Sequence, residues 1–215
     1  MSRAVILTAV VLCAGLCVWG GCFVPPSASL QSARTVDKEK ARLTPYWSGI
    51  RETGESENEK IADEFGILAG IGVGNQAELQ LRYDRIQLTG EDEDGYNFTS
   101  LGPKFSTANQ RIAFILPVGF YYGSGISAGD TFQIHPGMIG TIPFAQTVEL
   151  SLAGRLIFAP NSGVDEWFVF NVNLGLSNDT SRWALMPEVG VSWNLSQDNQ
   201  DPLINYGVAL AYYTR

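Results

Sequence analysis

Hydrophobic and polar positions alternate with a period of two from about Arg42 onward. In Ala77–Asp84 the residues Ala77, Leu79, Leu81 and Tyr83 share one face, and Glu78, Gln80, Arg82 and Asp84 share the other. Successive side chains of a strand point to opposite faces, so this is a strand pattern rather than a helical one. It recurs in Phe168–Leu176, in Ile204–Tyr212 and in Val148–Phe158. Ten such segments fall at about 42–52, 62–74, 76–88, 96–105, 110–122, 130–143, 147–159, 166–176, 182–195 and 203–213. Turn-forming runs separate them, among them Gly74-Asn75, Pro160-Asn161-Ser162-Gly163 and Ser177-Asn178-Asp179. Segments 96–105 and 130–143 alternate less clearly, which leaves the strand count at about ten within a range of eight to twelve. The pattern predicts an all-β protein, and no helical periodicity of useful length follows residue 30.

Two architectures satisfy such a pattern. A soluble barrel or sandwich turns its large apolar face inward. A transmembrane barrel turns it toward lipid and keeps polar or small residues inside. The face opposite the large residues carries Gly66, Gly70, Gly72, Gly119, Gly175, Gly190, Gly207, Ala209 and Ala211. Solvent-facing strand positions favour longer polar side chains, whereas small residues suit a crowded lumen. Trp183 and Trp193 add a length. Ten residues apart, they share a face and lie roughly 34 Å apart along a strand. A tilt near 45° makes that roughly 24 Å along the membrane normal, close to an apolar band about 25 Å tall. Trp183, Trp193, Trp167, Tyr206 and Tyr212 are therefore expected at the membrane interface. The sequence thus predicts an antiparallel up-and-down transmembrane β-barrel over residues 42–215. Alternation points Glu78, Arg82, Asp84, Glu149, Arg155 and Glu188 inward as a lumen polar network. Opposite charges there should pair, because a buried unpaired charge is costly.

The start of the chain has a different character. Arg3 precedes an uncharged run, Ala4–Val18, and small residues follow at Gly20-Gly21. That is the layout of an export signal, expected to cover residues 1–21. At about fifteen residues the run is short for a membrane helix, which needs about twenty. All three cysteines, Cys13, Cys17 and Cys22, fall at this end, so the mature body is not a disulfide scaffold. Gly20-Gly21-Cys22 resembles the lipobox of bacterial lipoproteins, and this resemblance implies lipidation of Cys22. Residues 22–41, polar with Pro and Ser, are expected to form an anchor site and flexible linker.

Loop chemistry supports an asymmetric barrel. With ten strands and a periplasmic anchor, both termini would lie on the periplasmic side. The outer loops would then be 51–64, 89–95, 123–130, 160–166 and 196–202. They hold fifteen of the chain's 22 acids, including Asp63, Glu64 and the run Glu91-Asp92-Glu93-Asp94. The opposite turns are short, as in outer-membrane barrels. In alternation, interface aromatics and loop asymmetry, residues 42–215 resemble the small bacterial outer-membrane β-barrel proteins. Leu30-Gln31-Ser32-Ala33-Arg34-Thr35 is similar to the opening of some porin-like bacterial lipoproteins. The resemblance implies a bacterial outer-membrane location and a structural or porin-like, non-enzymatic role. Such barrels often end on Phe or Trp, whereas this chain ends Tyr212-Tyr213-Thr214-Arg215. Pro117 and Pro187 each remove a ladder donor within a strand and are expected at irregularities.

Composition limits the chemistry. The chain is 45% hydrophobic and 17% charged with a net charge of −8, and its pI of 4.6 argues against a nucleic-acid partner. The expected partner is membrane lipid, with cations at the acidic outer loops as a candidate. The single histidine, His135, lies in Gln133-Ile134-His135-Pro136-Gly137. A hydrolytic triad needs a base beside its nucleophile, and no fitting His-x-Ser pair exists. Gly70-Ile71-Gly72-Val73-Gly74 precedes no helix and is not a phosphate loop. No cofactor and no metal site are expected. Two other readings remain open: a soluble periplasmic β-barrel binding a lipid or other apolar ligand, and a membrane-embedded lipid hydrolase. The lumen is either a small polar pore or a plugged, salt-bridged core.

Overall fold

The structure is a computed structural model that describes residues 24–53, 59–90, 95–123, 126, 128–160, 165–197 and 201–214. The expected export signal, Cys22 and the acidic run 91–94 lie outside the described residues.

Twelve strand segments follow one another: β1 (Ala41–Glu52), β2 (Lys60–Gly74), β3 (Ala77–Leu88), β4 (Tyr96–Ser106), β5 (Ile112–Ile115), β6 (Val118–Tyr122), β7 (Gln133–Ile134), β8 (Gly137–Ala145), β9 (Val148–Ile157), β10 (Trp167–Leu176), β11 (Trp183–Asn194) and β12 (Leu203–Tyr213). Every pairing between them is antiparallel, β1 meets β12, and β3 meets β4, so the sheet closes on itself. Closure leaves no unpaired edge, which a sheet in lipid requires. β5 and β6 both pair with β4 at successive positions, and β7 and β8 pair with β6 and β5. Each couple is therefore one interrupted wall strand, and the barrel has ten wall positions. The alternating segments at 110–122 and 130–143 correspond to these interrupted strands.

The prolines mark the interruptions. Pro117 stands between β5 and β6, where its missing N–H is no loss and its carbonyl accepts from His135 N–H at 2.8 Å. A Cβ on Gly102 would lie 2.2 Å from Pro117 Cα, so only glycine lets β4 pass this break. Pro187 pairs with Val208 on β12, while on its other side the β10–β11 ladder is interrupted, in unchanged register, between Asn173↔Glu188 and Leu176↔Leu185. Both prolines thus sit where the ladder yields, as a strand proline must.

The two ends of the barrel differ. Turns 75–76, 107–111, 146–147 and 177–182 close one end, and the strand ends that lead into the longer connections 53–59, 89–95, 123–132, 158–166 and 195–202 lie at the other. Burial alternates along the strands, with most of the large apolar residues outside and a group including Ile50, Ile86, Phe98, Tyr121 and Trp167 inside near the long-loop end. Leu79, Leu81 and Val189 are 42%, 50% and 54% exposed, whereas Glu78, Arg82 and Glu188 beside them are buried. An outer wall of this kind has no stable place in water, since apolar area costs about 25 cal/mol per Å² left exposed.

Two expectations are corrected here. Trp167 does not stand on the outer wall. It is 3% exposed, because on β10 it is in phase with the inward Val169, Asn171 and Asn173. Glu64 is not a loop acid. Strand β2 begins at Lys60, and Glu64 is fully buried in phase with Ala62, Gly66 and Gly70.

Candidate functional site in the barrel lumen

The largest difference from expectation lies inside the barrel. Residues 22–41 were expected to form a flexible linker, yet the described part from Val24 to Val36 runs through the lumen. Ser27, Ala28, Leu30, Gln31, Ser32 and Ala33 are all buried. The composition that suggests a solvated linker also suits a tunnel. Ser27, Ala28, Ser29, Ser32 and Ala33 are small enough to let an extended backbone pass between the walls.

The wall meets this segment with polar groups at nearly every step, in order along the barrel axis. At the long-loop end, the hydroxyls of Tyr96 and Tyr121 donate to Val24 O at 3.0 and 3.3 Å. Next, Arg155 donates to Pro26 O, and Asn171 Nδ2 donates to Ser27 O at 2.7 Å. Midway, Glu188 accepts the consecutive amides of Ser29 and Leu30 at 2.8 and 2.6 Å. Lower down, Lys104 Nζ donates to Ser32 O at 2.7 Å and Arg34 O at 2.8 Å, and Ala33 N–H donates to Thr141 Oγ1 at 2.7 Å. At the short-turn end, Arg34 pairs with Glu149, and Val36 N–H donates to Glu78 at 3.0 Å. Glu39, with φ of 67°, then turns the chain back into β1, and its N–H donates to Gly72 O at 3.1 Å.

An extended chain without its own ladder has unpaired amides and carbonyls, each costly if buried. The wall supplies those partners, and the segment in turn supplies partners to the wall. Five buried carboxylates, Glu64, Glu78, Asp84, Glu149 and Glu188, face four buried wall cations, Arg42, Arg82, Lys104 and Arg155, and the segment adds Arg34. The hub is Arg82. Its guanidinium pairs with Glu64, donates to Asp84 at 2.6 Å and donates to Ala28 O at 2.6 Å. Tyr46 donates to Asp84 and lies under the same guanidinium, 5.4 Å from ring centre to Cζ. Arg42 on β1 reaches across β2 to hold Glu78 on β3 at 2.6 Å. Hydrogen-bonded, paired charges are the form in which a low-dielectric interior tolerates them.

The small inner face also has a reason. A Cβ on Gly66 would lie 2.3 Å from both Asp84 Oδ1 and Tyr46 Cζ, and one on Gly70 would lie 2.1 Å from Glu78 Oε1. Glycine on β2 makes the room that the lumen charges occupy.

Leu30 is the one large apolar side chain in the middle of the segment. It is buried against Tyr46, Leu68, Ala184, Met186, Ala209 and Ala211. Its φ of 45° is unusual for a branched residue and is held there by the Glu188 contact and this pocket. Above it, Val24 sits among Ile50, Ile86, Phe98, Tyr121, Ile157, Trp167, Val169 and Leu203, an apolar collar under the long loops. The lumen beside the segment keeps a cavity of only about 20 Å³, lined in part by Ser29, Arg82, His135 and Arg155. That is room for about one water. A wider cavity of about 500 Å³ opens at the short-turn mouth around Arg34, Lys40, Arg111 and Tyr213.

The structure thus brings Glu78, Arg82, Asp84, Glu149, Arg155 and Glu188 together inside the barrel, and adds Glu64, Arg42, Lys104 and Tyr46 to them. Trp183 and Trp193 stand outside at opposite ends of β11, 36% and 39% exposed. Trp183 Nε1 donates to Asn178 at 3.0 Å, and Trp193 stacks on Phe168 with ring centres 5.7 Å apart. Tyr206 faces outward against Trp47, 5.7 Å away edge to face, and Tyr212 is 60% exposed beside Trp183. His135 stacks on Phe98 and lies 2.8 Å from Gln133 Oε1, a packed position inside the wall. Among the described residues, no group of three or more His, Cys, Asp or Glu is placed to hold a metal ion.

No family model and no curated protein matches the chain. Among solved structures it is similar to an outer membrane channel from Pseudomonas putida F1, with a TM-score of 0.47 and 8% identity over 89% of this chain and all of that one. It is also similar to Ail, the attachment invasion locus protein of Yersinia pestis, with a TM-score of 0.37 and 9% identity over 82% of this chain and 99% of that one. Neisserial surface protein A matches with a TM-score of 0.38 and 9% identity over 80% of this chain and 96% of that one. The chain's closed register and its mainly inward-polar, outward-apolar strands are those of a transmembrane β-barrel.

Proposed function

We propose that the protein is a bacterial outer-membrane β-barrel with a structural role, whose lumen is occupied by its own amino-terminal segment rather than left open for diffusion. The observation that carries this reading is the path of Val24–Val36, bonded to the wall from one mouth toward the other. Membrane lipid covers the outer wall. Trp183 and Tyr212 mark one interface, and Trp193 and Tyr206 the other. The asymmetry of the ends supports short turns in the periplasm and long loops outside. The export signal and an acylated Cys22 belong to the same reading, as does a non-enzymatic role. Cations bridging the acidic loops to lipid phosphates are a further part of it.

The outward apolar wall counts against a soluble lipid-binding barrel, which would keep its large residues inside. Two measurements test the proposal. The protein should fractionate with the outer membrane and migrate in a heat-modifiable way on gels. In planar bilayers the intact chain should give no stable conductance steps. Recovery as a soluble monodisperse protein without detergent overturns the membrane reading, and steady open steps from the intact chain overturn the closed lumen.

A further inference from the structure

The threaded segment has a direction, and that direction decides at which mouth Val24 lies. Val24 is bonded to Tyr96 and Tyr121, at the ends of β4 and β6 that meet the long loops. Val36 is bonded to Glu78, and Lys38 bridges Gly72, beside the two-residue turn 75–76. The intermediate contacts, at Arg155, Glu188, Thr141 and Glu149, descend in the same order. Thirteen extended residues reach about 40 Å, enough to cross a bilayer's hydrocarbon core. The chain therefore passes down the lumen from the long-loop mouth, turns at Asp37–Lys40 and climbs back as β1. A chain anchored on the periplasmic side through a linker would enter β1 directly, with no segment in the lumen.

We propose that the chain threads its own barrel from the long-loop face, so that Val24 enters the lumen at the cell-surface mouth. This rests on the proposed insertion with short turns in the periplasm. The collar residues Ile50, Ile157 and Trp167 would close the barrel around the chain where it enters.

Membrane-impermeant maleimide labelling of cells expressing the full chain tests this, with the unsubstituted protein as the blank. Phe23→Cys reports the amino-terminal side, Gln197→Cys a long loop and Ser181→Cys a short turn. The expected result is labelling of Phe23→Cys and Gln197→Cys on intact cells, and of Ser181→Cys only after permeabilisation. If Phe23→Cys labels only after permeabilisation while Gln197→Cys labels on intact cells, the threading is wrong. If Phe23→Cys and Gln197→Cys both need permeabilisation while Ser181→Cys does not, the surface placement falls and the orientation reading fails with it. Should Phe23→Cys react on neither side, a Gly-Ser insert bearing one cysteine between Phe23 and Val24 replaces it and is read by the same three outcomes.

Discussion

The two halves of the lumen hold one stretch of chain by opposite means. Near the long loops, Val24 is surrounded by Ile50, Ile86, Phe98, Ile157 and Trp167, with the tyrosine hydroxyls of Tyr96 and Tyr121 as polar contacts. From Pro26 to Val36, apart from the apolar seat of Leu30, the contacts are mainly hydrogen bonds to named backbone atoms, with the Arg34–Glu149 ion pair at the lower end. Apolar packing is non-directional, so the collar excludes water without specifying which residue lies within it. Glu188 accepting two consecutive amides, and Lys104 two nearby carbonyls, specify register: a slip by one residue would leave charged groups unpaired. The collar seals and the polar waist aligns.

Substitutions can separate the two roles. The largest loss is expected for Arg82→Ala, which leaves Glu64 and Asp84 buried without their shared cation. Such a break costs about 4 kcal/mol. Urea unfolding of the refolded protein in detergent should show it, and an unchanged midpoint would mean the waist is not a charge-paired core. Trp167→Ala empties the collar and is expected to cost about 3 kcal/mol. It should leave the amides of Ser29 and Leu30 as protected from exchange as before. Loss of their protection would show that the collar, not the waist, sets register. Glu188→Gln keeps the shape but weakens two charge-assisted bonds, for about 1.5 kcal/mol. Here protection at Ser29 and Leu30 should fall while Val24 stays in place, which Trp167 fluorescence would report.

Most of the wall was readable in the sequence because alternation has only two phases. Once Leu79 and Leu81 are assigned outside, Glu78 and Arg82 must be inside. The same rule also held the answer for Trp167, which is in phase with Val169, Asn171 and Asn173, but its size drew it to the girdle. Glu64 was hidden by its neighbour, since Asp63-Glu64 reads as an acidic loop although Glu64 shares the phase of Gly66 and Gly70. Lys104 lies in a segment whose alternation is faint, with Gly102 and Pro103 before it. The threaded segment was not readable, for a physical reason. Small and polar residues are what a chain needs to be solvated by water, and equally what it needs to be solvated by carboxylates and amides of a lumen wall. What distinguishes the two is the partner, which lies far away in sequence, as between Ser29 and Glu188. The one local hint was Leu30, an isolated large apolar residue in an otherwise small and polar run.

Amide hydrogen exchange of the intact, refolded barrel tests the threaded lumen most directly. The N–H groups of Ser29, Leu30, Ala33 and Val36 are bonded to Glu188, Thr141 and Glu78 inside the wall. They are expected to exchange as slowly as the amides of the strands around them. Exchange within seconds across 24–36, with the strands still protected, would contradict the account and return the segment to an ordinary solvated linker.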